Sequence, residues 1–174
     1  MAAGWLDGTS VSIAEEPIPS EYQVKAAFLI NFPKYVDWPA EAFAETNSPV
    51  ILAVPGDTKV AGEIQKVIAG RTVNGRKIVL KRLASGEESG VCQILFISAA
   101  EQLHSPKLLA KLNAGGVLTV GESDEFLELG GIINLARRDQ KIALEVNLAA
   151  ADKARIKISS KLLAVATVLK GKAN

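Results

Sequence analysis

Five apolar residues in a row, Val50-Ile51-Leu52-Ala53-Val54, stand between Pro49 and Pro55-Gly56. A strand with one solvated face alternates polar and apolar residues. This run does not alternate, so it predicts a strand covered on both faces, as in a sheet with helices above and below. Downstream, Asp57 or Thr58 caps a predicted helix reaching Ala69, with Val60, Ile64, Val67 and Ile68 on one side. Asn74-Gly75 marks a turn before a short strand at Lys77-Leu80. Ile94-Ile97 and Val117-Val120 repeat the unalternating pattern. Between them a helix over roughly 101–113 stops at Asn113-Ala114-Gly115-Gly116.

After Gly130-Gly131 the pattern changes. Ile132-Leu135 and Lys141-Leu148 flank a polar turn at Arg137-Arg138-Asp139-Gln140. Ile142, Leu144, Val146 and Leu148 alternate with polar residues or Ala, which predicts a half-exposed antiparallel strand. Residues 149–170 read as helical, with a break near Ile156-Ser159 and an apolar face at Leu162, Leu163, Val165, Ala166 and Leu169. Upstream, Ser20 and Gln23 make a capping-box pattern that opens a broadly apolar helix from Glu21 to Val36. Pro33 distorts it and Trp38-Pro39 closes it. The expected fold is α/β: a three-layer α/β/α sandwich over residues 21–170. Its sheet is mostly parallel, with the C-terminal antiparallel hairpin at one edge. Residues 1–20, with Gly4, Gly8, Pro17 and Pro19, read as a flexible N-terminal arm without a signal-peptide pattern.

The 174 residues suit one domain. Twenty basic against nineteen acidic side chains leave a charge of +1, which supplies no field for nucleic acid or an anionic membrane. With 48% apolar residues the chain can fill a core unaided. Its longest apolar run is five residues, against about 20 for a membrane-spanning helix. Cys92 is the single cysteine, so no intrachain disulfide forms, and one His with one Cys excludes a structural zinc site of those ligands. Neither GxGxxG nor GxxxxGK[ST] occurs, and no cofactor or metal is expected.

Open α/β sheets bind ligands beyond the carboxyl ends of their strands. Those ends supply Gly56, Asp57, Thr58, Ser98, Gly121, Glu122 and Ser123 as candidate ligand-binding residues. The amides of Gly56-Asp57-Thr58, at a helix start, also suit an anion. Ordinary strand-to-helix turns with a cap account for the same residues. His104 reads as a surface or capping histidine, and Cys92 as a buried structural thiol. Glu122, Asp124, Glu125 and Glu128 around Phe126 read as a solvated loop, and Arg137, Arg138 and Lys141 as an exposed turn. No catalytic constellation emerges. The residues point to a binding or regulatory domain and not to an enzyme.

Three segments together resemble the YfiR family of bacterial periplasmic regulators. The first is Val24-Lys25-Ala26-Ala27-Phe28-Leu29-Ile30-Asn31-Phe32 with Lys34-Tyr35-Val36 and Trp38-Pro39. The second is Leu118-Thr119-Val120-Gly121-Glu122-Ser123 with Phe126 and Gly130-Gly131-Ile132-Ile133-Asn134. The third is Leu144-Glu145-Val146-Asn147-Leu148, Ala150-Ala151 and Lys157-Ile158-Ser159-Ser160-Lys161-Leu162-Leu163. Physically, Asn134 and Asn147 are expected to satisfy backbone groups at strand ends, Gly121 and Gly130-Gly131 to permit turns, and Ser159-Ser160 to cap the last helix.

The resemblance implies a periplasmic protein made with a signal peptide that is absent from these 174 residues. It implies binding to the periplasmic sensor domain of an inner-membrane diguanylate cyclase, which is held inactive, so that cyclic-di-GMP and biofilm formation fall. An outer-membrane lipoprotein that sequesters the repressor is a further implied partner, and a homodimer is the implied assembly. Pro33 and the lone Cys92 depart from the family pattern, and redox control through an internal disulfide is not expected. The alternative function is a periplasmic small-molecule sensor using the strand-end cleft. An enzyme built on His104 with Cys92 or the 122–128 carboxylates ranks third. The apolar face at Leu163-Leu169 is a candidate dimer surface, and the inner side of the sandwich is its expected place.

Overall fold

The computed structural model describes residues 12–169, apart from the side chains of residues 102–105. Along the chain lie α1 (Glu21–Asn31), β1 (Val36–Asp37), β2 (Val50–Pro55), α2 (Lys59–Val67), β3 (Thr72–Val73) and β4 (Arg76–Leu83). Then follow β5 (Ile94–Phe96), α3 (Ser105–Ala114), β6 (Leu118–Gly121), β7 (Ile133–Arg138) and β8 (Lys141–Asn147). The chain closes with α4 (Leu148–Lys153), β9 (Lys157–Ile158), α5 (Ser160–Leu163) and β10 (Thr167–Leu169). One eight-stranded sheet has the order β10-β8-β7-β6-β5-β2-β4-β3, and β1 pairs with β9 apart from it. Only β7/β8 and β3/β4 are antiparallel within that sheet.

The unalternating runs are its central strands. Leu52, Val54, Ile94, Phe96, Leu118 and Val120 face the layer formed by α1 and α2. Their neighbours Ala53, Leu95 and Ile97 face α3 together with Phe126 and Leu127. Both faces are therefore covered, and the three-layer α/β/α reading holds. Caps fall where the sequence places them. Ser20 Oγ accepts from the Gln23 amide (3.3 Å), and Gln23 Oε1 accepts from the Ser20 amide (2.8 Å). Thr58, not Asp57, caps α2 by accepting from the Ala61 amide.

The C-terminal quarter corrects the sequence reading. The expected β7–β8 hairpin forms, but its turn is only Asp139-Gln140, because Arg137 and Arg138 pair with Ile142 and Lys141 as the end of β7. In addition, β10 pairs outside β8 and takes the edge from it. Residues 149–170 are not one helical run. The Ala-rich stretch stays helical only in α4, which Arg155 ends with φ +56°. Beyond it β-branched Ile156, Ile158, Val165, Thr167 and Val168 favour extended backbone. β9 then pairs with β1, and β10 with β8. The supposed apolar helix face at Leu163–Leu169 is thus the end of a four-residue helix, a turn and an edge strand. At the other end, Pro33 stops α1 at Asn31 and turns the chain through a 3-10 turn, Phe32–Lys34.

Two buried features lock the layers. Gln93, 2% exposed, has its amide donate to Ile51 O (3.0 Å) while its Oε1 accepts from the Ile51 amide (2.8 Å). Its Nε2 donates to Ala42 O (2.7 Å), and its carbonyl accepts from the Leu118 amide (2.9 Å) and from Trp38 Nε1 (3.2 Å). The second feature is the fully buried Phe126 ring, which lies against Gly121 and Gly131. A Cβ at Gly121 would come within 2.3 Å of the ring and one at Gly131 within 2.1 Å. These glycines make room for the ring rather than for turns. Of the expected turn glycines, Gly130 alone has positive φ (+103°).

Replacing Gln93 by Leu strands the Ile51 amide and the Ala42 carbonyl, so urea unfolding should show a loss of roughly 2–4 kcal/mol with an unchanged m-value. Gly131→Ala should cost about 3 kcal/mol through overpacking. In a Phe126→Ala background the same glycine substitution should cost much less. Equal costs in both backgrounds would show that the ring is not what the glycine accommodates.

Candidate functional site

The chain leaves β2 toward β4 on one side and returns through β5, β6 and β7 on the other, so the sheet has its switch point between β2 and β5. The carboxyl ends of those two strands carry Gly56-Asp57-Thr58 and Ser98. At Gly56 the amide donates to Leu83 O (2.8 Å), and Arg82 Nη2 donates to the Gly56 carbonyl (2.8 Å). Thr58 Oγ1 donates to Pro55 O (2.8 Å) in addition to capping α2. Asp57 is exposed, and Ser98 is buried with its carbonyl accepting from the Glu101 amide (3.0 Å). Burial and the neighbouring Asp57 charge push the Glu101 carboxyl above the usual range. Glu101 thus lies close enough to feel the Asp57 charge, and only Asp57 was visible as a candidate in the sequence.

At the end of β6, Gly121 lies beneath Phe126. Glu122 is the partner of Lys25: its Oε2 accepts from Lys25 Nζ (2.7 Å) and its Oε1 from the Ala99 amide (3.0 Å). The Ser123 carbonyl accepts from the Phe126 amide (3.1 Å), while its hydroxyl is buried without a protein partner. The structure thus gathers all seven candidates at one end of the sheet, with Glu122 tying β6 to the turn after β5.

Lys25 escaped the sequence reading as a site residue. It is 3% exposed and also donates to Glu21 (2.5 Å), which in turn receives Arg137 (3.4 Å). Burial pulls the Lys25 pKa down, but hydrogen bonds and charges from Glu122 and Glu21 outweigh it and leave the group above its ordinary 10.5. A lysine four residues after a glutamate inside an apolar helix was the available signal. Its decisive partner lies 97 residues away.

The other candidates take structural places. Asp124 and Glu145 both hold Arg138 (2.6 and 2.8 Å), and Glu145 accepts from Asn134 Nδ2 (3.0 Å). Asn134 thus binds a side chain and not the backbone group expected of it. Its Oδ1 has no protein partner. Asn147 does serve backbone: it caps α4 through the Ala150 amide and donates to Leu127 O (3.0 Å). Asp124, Glu125 and Glu128 are exposed, as are Arg137 and Lys141. Cys92 is buried, and burial raises its thiol pKa against weaker pulls from Ser89 and Lys81. The His104 side chain lies outside the described ones. Among the described residues no three His, Cys, Asp or Glu side chains group as metal ligands.

A second concavity was not foreseen. A groove of about 950 Å³ runs along the outer side of α1, between the end of α2 and α5. Val24, Phe28, Tyr35, Val67, Leu162 and Val165 give it an apolar lining, and Glu63, Arg71 and Lys161 also line it. The broad apolar spread of α1 therefore serves two sides. Leu29 belongs to the core alone, buried Ala26 and Ile30 belong to the core and also floor the groove, and half-buried Val24 and Phe28 line its wall.

Lys25→Met leaves two carboxylates facing a methyl group, and with their partial solvation the expected cost is about 2 kcal/mol at pH 7. Because the folded pKa is raised, the lysine's contribution is complete below about pH 10.5 and fades as pH climbs through the folded value. Urea denaturation from pH 7 to 12 should therefore show the gap between wild type and variant closing at the alkaline end. A constant gap would locate the effect in packing and not in charge.

A family model described as YfiR/HmsC-like matches residues 22–167. No curated protein is similar to the chain at a significant level. Among solved structures, a conserved domain protein from Vibrio cholerae O1 biovar El Tor superposes with a TM-score of 0.54 at 16% identity. The match covers 87% of this chain and 60% of that one, so the chain spans about three-fifths of the length of that protein. At that identity the likeness shows a shared fold.

Proposed function

We propose, from the premise that the chain belongs to the YfiR/HmsC-like family, that it is a periplasmic regulator working by protein contact. Its target in this reading is the periplasmic sensor domain of an inner-membrane diguanylate cyclase, which it holds inactive. Cyclic-di-GMP and biofilm formation fall as a result, and an outer-membrane lipoprotein relieves the block by sequestering the regulator. The carrying observation is the extent of the family match. It begins in α1 and ends at the first residue of β10, so it takes in every layer of the sandwich.

The mechanism needs no bond chemistry. A repressor of this kind binds the inactive form of its target more tightly than the active form. A hundredfold preference shifts the target's equilibrium by about 2.7 kcal/mol. No helix among the described residues is long and apolar enough to cross a membrane, so in this reading the contact is made outside the bilayer. Cys92, buried and with a raised thiol pKa, is a poor substrate for periplasmic oxidation. The family reading also includes a homodimer, which light scattering at micromolar concentration detects directly.

Deleting the gene should raise intracellular cyclic-di-GMP, and an exported copy should restore it. No change under conditions of expression would sink the reading. Calorimetric titration of the purified chain with the cyclase's periplasmic domain then tests direct contact.

The strand order, which sets the carboxyl ends of β2, β5 and β6 side by side at the switch point, favours a second reading. In it, a small molecule binds at Gly56, Asp57, Thr58, Ser98, Gly121, Glu122 and Ser123 and modulates the partner. Asp57→Asn and Ser98→Ala should then abolish a ligand-induced rise in Tm while leaving the ligand-free Tm unchanged. A large ligand-free fall would make both residues structural.

A further inference from the structure

We infer that the groove along α1 is the seat of the chain's own N-terminal arm, with Ile13 and Ile18 as its anchors. Among the described residues these are the two most exposed large apolar side chains, at 86% and 93%. The structure shows Ile13 and Ile18 off the groove, so two apolar surfaces in one short reach of chain both stand in water. Val165 and Val67 on the groove are 71% and 45% exposed. Bare apolar surface of this kind on both sides favours closure.

Geometry and charge make the arm the fitting occupant. Pro19 itself lines the groove, so the arm departs from the groove's own wall. The eleven residues of α1 span roughly 16 Å, and the extended stretch Ile13–Ile18 spans roughly 20 Å. An arm turning back at Pro19 therefore carries Ile13 as far as Phe32 and Tyr35. Residues 1–20 include Asp7, Glu15 and Glu16 and no Lys or Arg. The groove offers Arg71 and Lys161 against the single Glu63. Pro17 and Pro19 already restrict the backbone, which lowers the ordering cost of docking. A second copy of the chain must instead meet the translational cost of association. The contact is internal and does not depend on the regulatory reading.

Two-dimensional amide NMR of the full chain and of an Ile13→Glu/Ile18→Glu double variant decides the matter. Both isoleucines are exposed, so the variant keeps its fold. Arm docking predicts shifts between the two spectra at Val24–Tyr35, the end of α2 and α5, unchanged by tenfold dilution. It also predicts that Val165→Glu, on the groove side, moves the amides of residues 12–18. Shifts confined to the arm itself, or a Val165→Glu spectrum with silent arm amides, would overturn the proposal. Groove shifts that disappear on dilution would overturn it too, in favour of a second copy.

Discussion

Gln93 is the point through which the sheet is assembled. A parallel sheet covered on both faces has no solvent to satisfy its backbone, so each strand must find its partners within the protein. Gln93 holds both polar groups of the Ile51 backbone, the Leu118 amide, the Ala42 carbonyl and the Trp38 indole at once. It thereby sets β5 between β2 and β6 in the register Leu52↔Ile94 and Ile94↔Leu118. It also clamps the segment after β1 to the sheet. The order of strands around it creates the switch point, with the turn that carries Asp57 beside the one that carries Ser98 and Glu101. A nonpolar residue of the same size would keep the main-chain bonds to Ile51 and Leu118 and strand the Ile51 amide and the Ala42 carbonyl.

The helix α1 shows how one element can answer to two environments. Its inner residues Ala26, Leu29 and Ile30 belong to the core, and Lys25 crosses to the strand ends through Glu122. Its outer residues Val24 and Phe28 line the groove. The ion-pair chain Arg137–Glu21–Lys25–Glu122 joins the hairpin, the helix and the end of β6. A perturbation on the outer side of α1 therefore has a physical route to the strand ends, because the same rigid helix carries both.

The centre of the fold was legible because its residues answer to local rules. Val50–Val54, Ile94–Ile97 and Val117–Val120 lack alternation, and only a doubly covered strand suits such runs. Ser20 with Gln23, Thr58, Asn147 and Ser159 act within three or four residues of themselves, which is the range that a sequence pattern displays. Residues 156–169 were not legible for the opposite reason. β9 exists because Ile158 meets Val36, and β10 because Val168 meets Val146. Such short pieces take their conformation from a distant partner. The site divides the same way. The strand ends follow from the order of elements and so could be named in advance, whereas the Lys25–Glu122 pair joins residues 97 apart. Gly121 and Gly131 looked like turn formers because the ring that needs their missing Cβ atoms lies elsewhere in the sequence.

That ring has an evolutionary consequence. Gly121, Phe126 and Gly131 share one volume, so their substitution histories cannot be independent. A lineage can enlarge either glycine only after position 126 has shrunk, and an aromatic ring at 126 can arise only where both glycines already stand. The three positions form a single inherited character with an ordered path of change. Sister lineages can therefore differ at 126 alone, but a larger residue at 121 or 131 should never accompany an aromatic ring at 126.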